Sequence, residues 1–315
     1  MNTATARHAV QPLLPLLAAL LLAVAALLLP PPAAAAGAAS TETRYLSVNG
    51  ERIAYRSLGR GAPIVMVNRL RGTLDTWDPL FLDALARQHR VITVDYPGIG
   101  YSQGVQPDDI GKAAAFIGDF ATALGLKQFV ALGWSWGGLV TQALLLDRPQ
   151  QVTRAILIGT VPPGANTVPM QQAFLDAAVK PVNDLADEEV LFFEPRSEAS
   201  RAAAKASHER IYARPGVTEK IPTKPEQLQA YFKAAKGFHA DAEDRRGQLS
   251  RTRTPILVIC GDNDPGTPGQ NWFPLMGQLP TAQLLMYPQT GHGPQHQHPE
   301  LTADYIHRFL ARSAR

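Results

Sequence analysis

The chain has 315 residues, of which 45% are hydrophobic and 18% are charged. This composition favours a globular protein with a sizeable core and excludes a disordered chain. The formal net charge of +3 comes from scattered Lys and Arg residues, and no basic block is interleaved with aromatic residues. Nucleic acid is therefore excluded as a predicted partner, and no oligomeric state is predicted.

Residues 1–39 are predicted to be a secretory signal peptide rather than part of the fold. Arg7 precedes an apolar run at residues 13–29, and the Ala-rich stretch that follows offers several small-residue cleavage positions. A retained membrane anchor is the alternative, because the run approaches the roughly 20 residues that span a bilayer. Pro15 and the Ala-rich exit favour cleavage. We therefore expect a periplasmic or secreted protein without membrane contact, whose first residue lies between 37 and 41.

After this leader, short apolar runs alternate with amphipathic stretches, which is typical of an α/β fold with a mainly parallel sheet. Eight strands are predicted, in segments 44–48, 52–58, 63–68, 90–96, 128–133, 154–160, 255–261 and 283–288. The later runs are nearly continuous in Val, Ile and Leu, as expected where helices cover both faces of a sheet. Cys260, the only cysteine, lies in one of them, so we expect it to be buried and unpaired.

Between the sixth and seventh predicted strands lies a long segment with helical periodicity, residues 161–251. We predict that it is a helical cap inserted into a core made of residues 40–160 and 252–315. Its larger apolar and aromatic residues are Met170, Phe174, Leu191, Phe192, Phe193, Tyr212, Tyr231 and Phe232. They offer material for a substrate pocket, although most are expected to pack the cap onto the core. The basic side chains of residues 201–210 are interpreted as a solvated helix face.

A serine flanked by glycines follows the fifth predicted strand, in the segment FVALGWSWGG. Gly133, Ser135 and Gly137 form a Gly-x-Ser-x-Gly pattern between that strand and a helix predicted to begin near Trp136. This is the setting of a nucleophile elbow. The tight turn would present Ser135 at the carboxyl edge of the sheet, beside the first amides of the helix. The structural alternative is a serine that caps the helix in a Gly-rich turn.

A serine hydroxyl becomes an effective nucleophile when a histidine accepts its proton and an acid orients that histidine. Candidates for both lie just beyond the carboxyl ends of predicted strands, where ligands bind in open α/β sheets. The loop GDNDPGTP offers Asp262 or Asp264 as the acid, and the loop after the last strand offers His292 as the base. Turn-forming aspartates and surface histidines are the alternatives. His292, His296 and His298 are not interpreted as metal ligands, because no Cys or carboxylate is suitably spaced with them.

These motifs resemble the α/β-hydrolase superfamily, in particular a cap-bearing branch that works without a cofactor and includes esterases, haloperoxidase-like perhydrolases and lactonases. The resemblance covers the chain after the leader and rests on RVITVDYPGIGYSQG, GWSWGG, GDNDPGTP and GHGPQHQHPE. It implies an α/β-hydrolase fold with an eight-stranded, mostly parallel sheet and no metal or other cofactor. It also implies a catalytic triad of Ser135, Asp264 and His292, because the family's acid normally occupies the position of Asp264.

The chain departs from the family pattern after the third strand, where Asn68 and Arg69 replace the common His-Gly pair. The oxyanion hole needs a backbone amide at this place. The resemblance therefore transfers that role to Leu70, with Trp136 giving the second amide. Arg69 is expected either to reach a carboxylate-bearing substrate or to pair with Asp75 or another nearby acid.

The sequence thus predicts an exported serine hydrolase that cleaves an ester-like carbonyl of a small-molecule substrate through an acyl-enzyme. A perhydrolase or a lactonase would need only a different pocket, and the fold does not choose between them. A non-catalytic ligand-binding protein on the same scaffold is the alternative of another class, and the presence of all three triad residue types argues against it. Dehalogenase and epoxide hydrolase chemistry is disfavoured, because it uses an aspartate where this chain has Ser135.

Overall fold

The structure, a computed structural model, describes Met1 and residues 37–311. Most of the predicted signal segment, residues 2–36, lies outside the described residues. Within the described part, eight strands form one sheet: β1 Arg44–Val48, β2 Glu51–Leu58, β3 Pro63–Val67, β4 Arg90–Val94, β5 Phe129–Trp134, β6 Val152–Ile158, β7 Ile256–Gly261 and β8 Ala282–Tyr287. All eight predicted strand segments overlap an observed strand, which confirms the predicted sheet.

The strand order is β1-β2-β4-β3-β5-β6-β7-β8. Strand β2 is antiparallel to both of its neighbours, and the pairs from β4 to β8 are all parallel. Parallel neighbours need long crossover connections, which are usually helical. The described helices are α1 Pro79–Ala86, α2 Ile110–Ala123, α3 Trp136–Asp147, α4 Gln172–Ala178, α5 Leu185–Phe192, α6 Glu198–Tyr212, α7 Val217–Lys220, α8 Pro225–Ala240, α9 Arg245–Arg251, α10 Pro294–Gln297 and α11 Pro299–Ala311. None of these helices is long and apolar enough to cross a membrane.

Alternate residues of the central strands enter two hydrophobic clusters, one on each face of the sheet. In β3, Ile64 and Met66 pack with residues of α1 and α11, whereas Val65 and Val67 pack with residues of α2 and α3. Strands β5 and β7 are buried along their whole length. Cys260 in β7 is buried and free, as predicted. Because β3, β5, β7 and β8 are parallel, the loops that follow them meet at one edge of the sheet.

The segment predicted as a cap, residues 161–251, contains helices α4 to α9 and no strand. Its last helix, α9, lies against core helix α3. There Arg245 Nη1 is 3.0 Å from Asp147 Oδ1, and Nη2 is 3.2 Å from Oδ2. The end of this segment is therefore joined to the core by a charged contact as well as by the chain.

The prediction of a solvated basic face in residues 201–210 is wrong for two side chains of α6. Arg210 donates to the buried carboxylate of Asp78 from Nε at 2.8 Å and from Nη2 at 2.6 Å. The Nδ1 atom of His208 lies 2.8 Å from Glu188 Oε2. Helical spacing shows which side chains share a face, but it does not show which other element covers that face.

Candidate active site

The turn from β5 to α3 holds Ser135 in a backbone conformation that residues other than glycine rarely adopt, with φ 57° and ψ −120°. The flanking glycines make this turn possible. A Cβ atom at Gly133 would overlap the carbonyl oxygen of Gly137, and one at Gly137 would overlap that of Val67. Ser135 precedes α3, yet its side chain makes no capping hydrogen bond. Ser135 therefore occupies the N-cap position of α3 without capping the helix through its hydroxyl.

The loops after β7 and β8 bring Asp264 and His292 together in the protein interior. The Nδ1 atom of His292 lies 2.9 Å from Asp264 Oδ2 and 3.0 Å from Oδ1. Asp264 Oδ1 also accepts hydrogen bonds from the backbone N–H groups of Gly266 at 2.8 Å and Thr267 at 2.7 Å. Burial opposes ionisation of this carboxyl, but the interaction with His292 and the Thr267 donors holds the pKa of Asp264 below its usual value.

Asp262, the other candidate acid, does not contact His292. Its Oδ1 atom accepts hydrogen bonds from the Thr290 backbone N–H at 3.1 Å and from Asn263 Nδ2 at 2.8 Å. Thr290 belongs to the loop that carries His292. Asp262 therefore ties the acid loop to the histidine loop and leaves the imidazole to Asp264.

Two further residues shape this pair, and the sequence pattern did not single them out. The Thr267 hydroxyl donates to Asp264 Oδ2 at 2.9 Å and lies 3.1 Å from His292 Nδ1. Gly159, with φ 49°, lies so close to the His292 carbonyl oxygen that a Cβ atom would overlap it. The Asp-Pro-Gly-Thr order, which is typical of a turn, was the available signal for Thr267. No local sequence pattern indicates the role of Gly159, because its close neighbour, His292, is distant in sequence.

The histidine loop is also held by the cap and by the strand that precedes Ser135. The Gly293 N–H donates to the Phe192 carbonyl oxygen at 2.7 Å. The Trp134 Nε1 atom donates to the His292 carbonyl oxygen at 2.9 Å. The imidazole therefore sits on a backbone that is fixed from two sides.

His296 and His298 have separate partners. The Nε2 atom of His296 accepts from the Asp78 N–H at 3.4 Å, and its ring centroid is 4.6 Å from that of Trp134. The Nε2 atom of His298 lies 3.1 Å from Thr290 Oγ1. Among the residues that the structure describes, no group of three or more His, Cys, Asp and Glu could hold a metal ion.

Two backbone N–H groups beside Ser135 have no acceptor of their own. Leu70 lies in the turn after β3, and its N–H donates no hydrogen bond within the described part of the chain. Trp136 is the first residue of α3, and the first N–H groups of a helix have no intrahelical acceptor. Both residues line the same cavity as Ser135. This arrangement can accept negative charge on a bound oxygen.

The two residues that replace the family's common His-Gly pair differ in environment. Asn68 is buried, donates from Nδ2 to a β4 carbonyl oxygen at 2.8 Å and accepts from Trp77 Nε1 at 2.7 Å. It therefore fixes the loop after β3 to the next strand. Arg69 forms no ion pair with Asp75, whose Oδ1 atom lies 2.7 Å from Arg56 Nη1.

Ser135 and His292 line one cavity of about 110 Å³. Its wall is largely apolar, and the cap supplies Met170, Phe174, Leu191, Phe192 and Phe232. Three other apolar cap residues singled out in the sequence lie elsewhere. Phe193 and Tyr231 are buried in the core, and Tyr212 lines a neighbouring cavity. The cavity thus joins a polar edge of the sheet to an apolar cap, as small-molecule sites commonly do.

Comparisons with known proteins agree with this architecture. Residues 62–299 match a family described as the alpha/beta hydrolase fold. The chain is 25% identical over 250 residues to a pimeloyl-[acyl-carrier protein] methyl ester esterase of Nitrosomonas europaea, with 79% of this chain and 95% of that protein covered. It is 24% identical over 291 residues to a 2-hydroxy-6-oxo-6-phenylhexa-2,4-dienoate hydrolase of Burkholderia cepacia, with 85% and 97% covered. A solved alpha/beta hydrolase fold protein from Chitinophaga pinensis superposes with a TM-score of 0.75 at 29% identity, covering 88% of this chain and 100% of that one.

Proposed function

The chain belongs to the alpha/beta hydrolase fold family, and on that premise we propose that it is a serine hydrolase cleaving an ester-like carbonyl compound. One observation supports this proposal above the others. The strained Ser135 lines the same cavity as His292, and Nδ1 of that histidine is bound by the buried Asp264 carboxylate. A histidine engaged at Nδ1 presents Nε2 as a proton acceptor.

In the proposed reaction, Ser135 Oγ attacks the carbonyl carbon while His292 Nε2 takes the hydroxyl proton. The backbone N–H groups of Leu70 and Trp136 stabilise the negative charge that develops on the carbonyl oxygen. His292 then gives the proton to the leaving alcohol, and an acyl-enzyme remains. Asp264 stays ionised throughout and stabilises the imidazolium.

Water resolves the acyl-enzyme by the same steps. His292 takes a proton from the water as it attacks the acyl carbon, and then returns a proton to Ser135 Oγ as the carboxylic acid leaves. Hydrogen peroxide in place of water would give a perhydrolase, and a leaving alcohol that stays tethered would describe a lactonase. Esters are the first class to test, because the Nitrosomonas relative is named for cleaving a methyl ester.

A fluorophosphonate probe and a panel of activated esters of increasing chain length test the proposal. We expect covalent labelling at Ser135 and turnover of at least one ester. The variant Ser135→Ala should lose turnover by orders of magnitude with an unchanged melting temperature, since triad members act as a unit. Ser250→Ala, on helix α9 and outside the cavity, is the matched control.

Two results would overturn the proposal. Undiminished ester hydrolysis by Ser135→Ala would show that another group is the nucleophile. Absence of both labelling and turnover in the folded wild-type protein would favour a ligand-binding protein on a hydrolase scaffold.

A further inference from the structure

Arg69 lines the cavity that contains Ser135 and His292, and it also lines two smaller cavities beside it. Its Nη1 atom donates to the Leu70 carbonyl oxygen at 2.8 Å. Its Nε atom is buried and has no hydrogen-bond partner, and no ion pair to Arg69 is formed within residues 37–311. The guanidinium therefore has unused hydrogen-bond donors, and it forms no ion pair with any acid among the described residues.

The nearby acid that the sequence offers to Arg69 is paired with other groups. Asp75 Oδ1 is 2.7 Å from Arg56 Nη1 and 3.6 Å from Arg214 Nε. Asp75 Oδ2 accepts the Tyr101 hydroxyl at 2.7 Å. The Asp75 carboxylate thus contacts two other arginines and a tyrosine, and it does not neutralise the charge of Arg69.

Glu188 is the next acid near the guanidinium, and it attracts the Arg69 charge without forming an ion pair. Its Oε1 atom accepts the Tyr212 hydroxyl at 2.7 Å, and its Oε2 atom lies 2.8 Å from His208 Nδ1. Both of its oxygens are thus engaged by residues of helix α6.

The neighbours of the Arg69 guanidinium are aromatic rings, and none of them is an anion. Its central carbon lies 4.5 Å from the Phe192 ring centroid and 5.2 Å from that of Trp134. Ring faces attract a cation, but they accept no strong hydrogen bond. Burial lowers the pKa of Arg69 to about 10, so the side chain stays charged at neutral pH. A buried charge with unused donors is unfavourable until an anion fills the place beside it.

We propose that Arg69 binds a carboxylate of the substrate, so that the preferred substrates are esters with an apolar stem and a second, ionised carboxyl group. This inference rests on the proposed function, because it names the substrate class of the same cavity. A guanidinium matches the two oxygens of a carboxylate with paired N–H donors. A phosphate dianion fits less well, because it needs further donors and the rest of this wall is mainly apolar.

A matched pair of esters tests the proposal: mono-p-nitrophenyl adipate and p-nitrophenyl hexanoate, which differ in whether a carboxylate or a methyl group ends the acyl chain. We expect the wild-type protein to have the higher kcat/KM for the adipate ester. Arg69→Met should lower the adipate-to-hexanoate ratio of kcat/KM by about 10- to 100-fold, the value of a hydrogen-bonded charge. Arg69→Lys should retain part of the preference. Arg87→Met, which removes an exposed arginine on the surface, should leave the ratio unchanged.

Binding of free adipate, measured by calorimetry in the Ser135→Ala background, separates this proposal from the proposed function. Adipate binding that disappears with Arg69→Met would support the carboxylate site, whether or not either ester is hydrolysed. A lack of hydrolysis of both esters would overturn only the hydrolase proposal. Hydrolysis of the hexanoate ester without adipate binding would overturn the carboxylate site and leave the hydrolase. Equal losses on both esters in Arg69→Met would also overturn it, because they would show that Arg69 acts by holding the Leu70 loop.

Discussion

Asp262 and Asp264 are two residues apart, yet their carboxylates enter different hydrogen-bond networks. Asp264 precedes Pro265 and turns into the interior to meet His292. Asp262 points to the backbone of Thr290 in the neighbouring loop. One carboxylate can therefore orient the imidazole while the other sets the distance between the two loops.

We expect Asp264→Asn to lower kcat by about 10³ to 10⁴, because an amide cannot stabilise the imidazolium or hold the required tautomer. Its melting temperature should change little. Asp262→Ala should instead keep most of the turnover and lower the free energy of unfolding by about 1 kcal/mol, the value of a hydrogen bond between loops. Steady-state kinetics and thermal melting of both variants test the assignment. A dead Asp262→Ala enzyme beside an active Asp264→Asn enzyme would reverse the two roles.

We expect the buried imidazole of His296 to make the free energy of unfolding depend on pH. Burial lowers its pKa from 6.5 to about 4 in the folded protein, so the unfolded chain binds more protons between these two values. The contribution of His296 to stability is therefore complete above pH 6.5 and is lost as the pH falls toward 4. For this group alone, we expect a loss on the order of 3 kcal/mol.

Urea unfolding of the wild-type protein and of His296→Gln, at about pH 8 and about pH 4, measures this contribution by difference. Glutamine does not titrate, so the variant should lose less stability than the wild-type protein over the same interval. Parallel pH dependences of the two proteins would show that the ring accepts a proton without penalty in the folded state.

At the level of elements, one side chain of the core holds the cap segment that follows α4. Arg71 donates to the backbone carbonyl oxygens of Ala178 at 3.1 Å, Lys180 at 2.6 Å, Pro181 at 2.7 Å and Pro222 at 2.8 Å. Its own backbone has φ 59°. The loop that contains Leu70 is thereby joined to the part of the cap segment whose Ala178 and Asn183 line the cavity.

We expect Arg71→Gly to loosen the cap and to lower the free energy of unfolding by about 2–3 kcal/mol, because four carbonyl oxygens lose a charged donor and two of these hydrogen bonds are buried. Glycine accepts the positive φ, so this variant removes the contacts without adding backbone strain. Arg71→Ala should be less stable still. Thermal melting and limited proteolysis of residues 178–183 are the measurements, and wild-type protease resistance in Arg71→Gly would contradict the role given to these contacts.

Sequence periodicity predicts well the elements whose own residues are apolar enough to show that the element is buried. Strands β5 and β7 are continuous apolar runs, and the Gly-Trp-Ser-Trp-Gly turn follows from backbone space alone. What could not be predicted are pairings between distant segments. Arg210 meets Asp78, which is 132 residues away, and no local spacing indicates that contact. Asn68 is a similar case, because its partners Trp77 and Val94 lie 9 and 26 residues away.

At the scale of the whole molecule, the last residues of the predicted leader, Ala38 and Ala39, are part of the packed structure together with Thr41, which follows it. The Ala38 N–H donates to Asp83 Oδ1 at 2.7 Å. Arg214 Nη2 donates to the carbonyl oxygens of Ala38 at 3.2 Å, Ala39 at 2.7 Å and Thr41 at 3.1 Å. A cap residue and a core helix therefore fix the same short segment.

We propose that the protein is exported, and we expect N-terminal sequencing of the exported form to find its first residue between 37 and 41. Cleavage before Ala38 would create an ammonium group at the atom that already faces Asp83. In that form, Asp83→Ala should lower the melting temperature more than Asp176→Ala, which removes an acid from helix α4. Recovery of the exported protein with residues 13–29 still attached would instead indicate a membrane anchor.

The single thiol of Cys260 has a practical consequence for measuring motion. It is buried in β7, and burial raises its pKa well above the usual value, so thiol reagents meet no reactive sulfur on the native surface. A cysteine introduced at exposed Val182 in the cap and another at exposed Tyr305 in α11 would be the sole attachment points for a pair of spin labels. The distance between the labels would then report whether the cap segment moves relative to helix α11. No native cysteine would have to be replaced for this measurement.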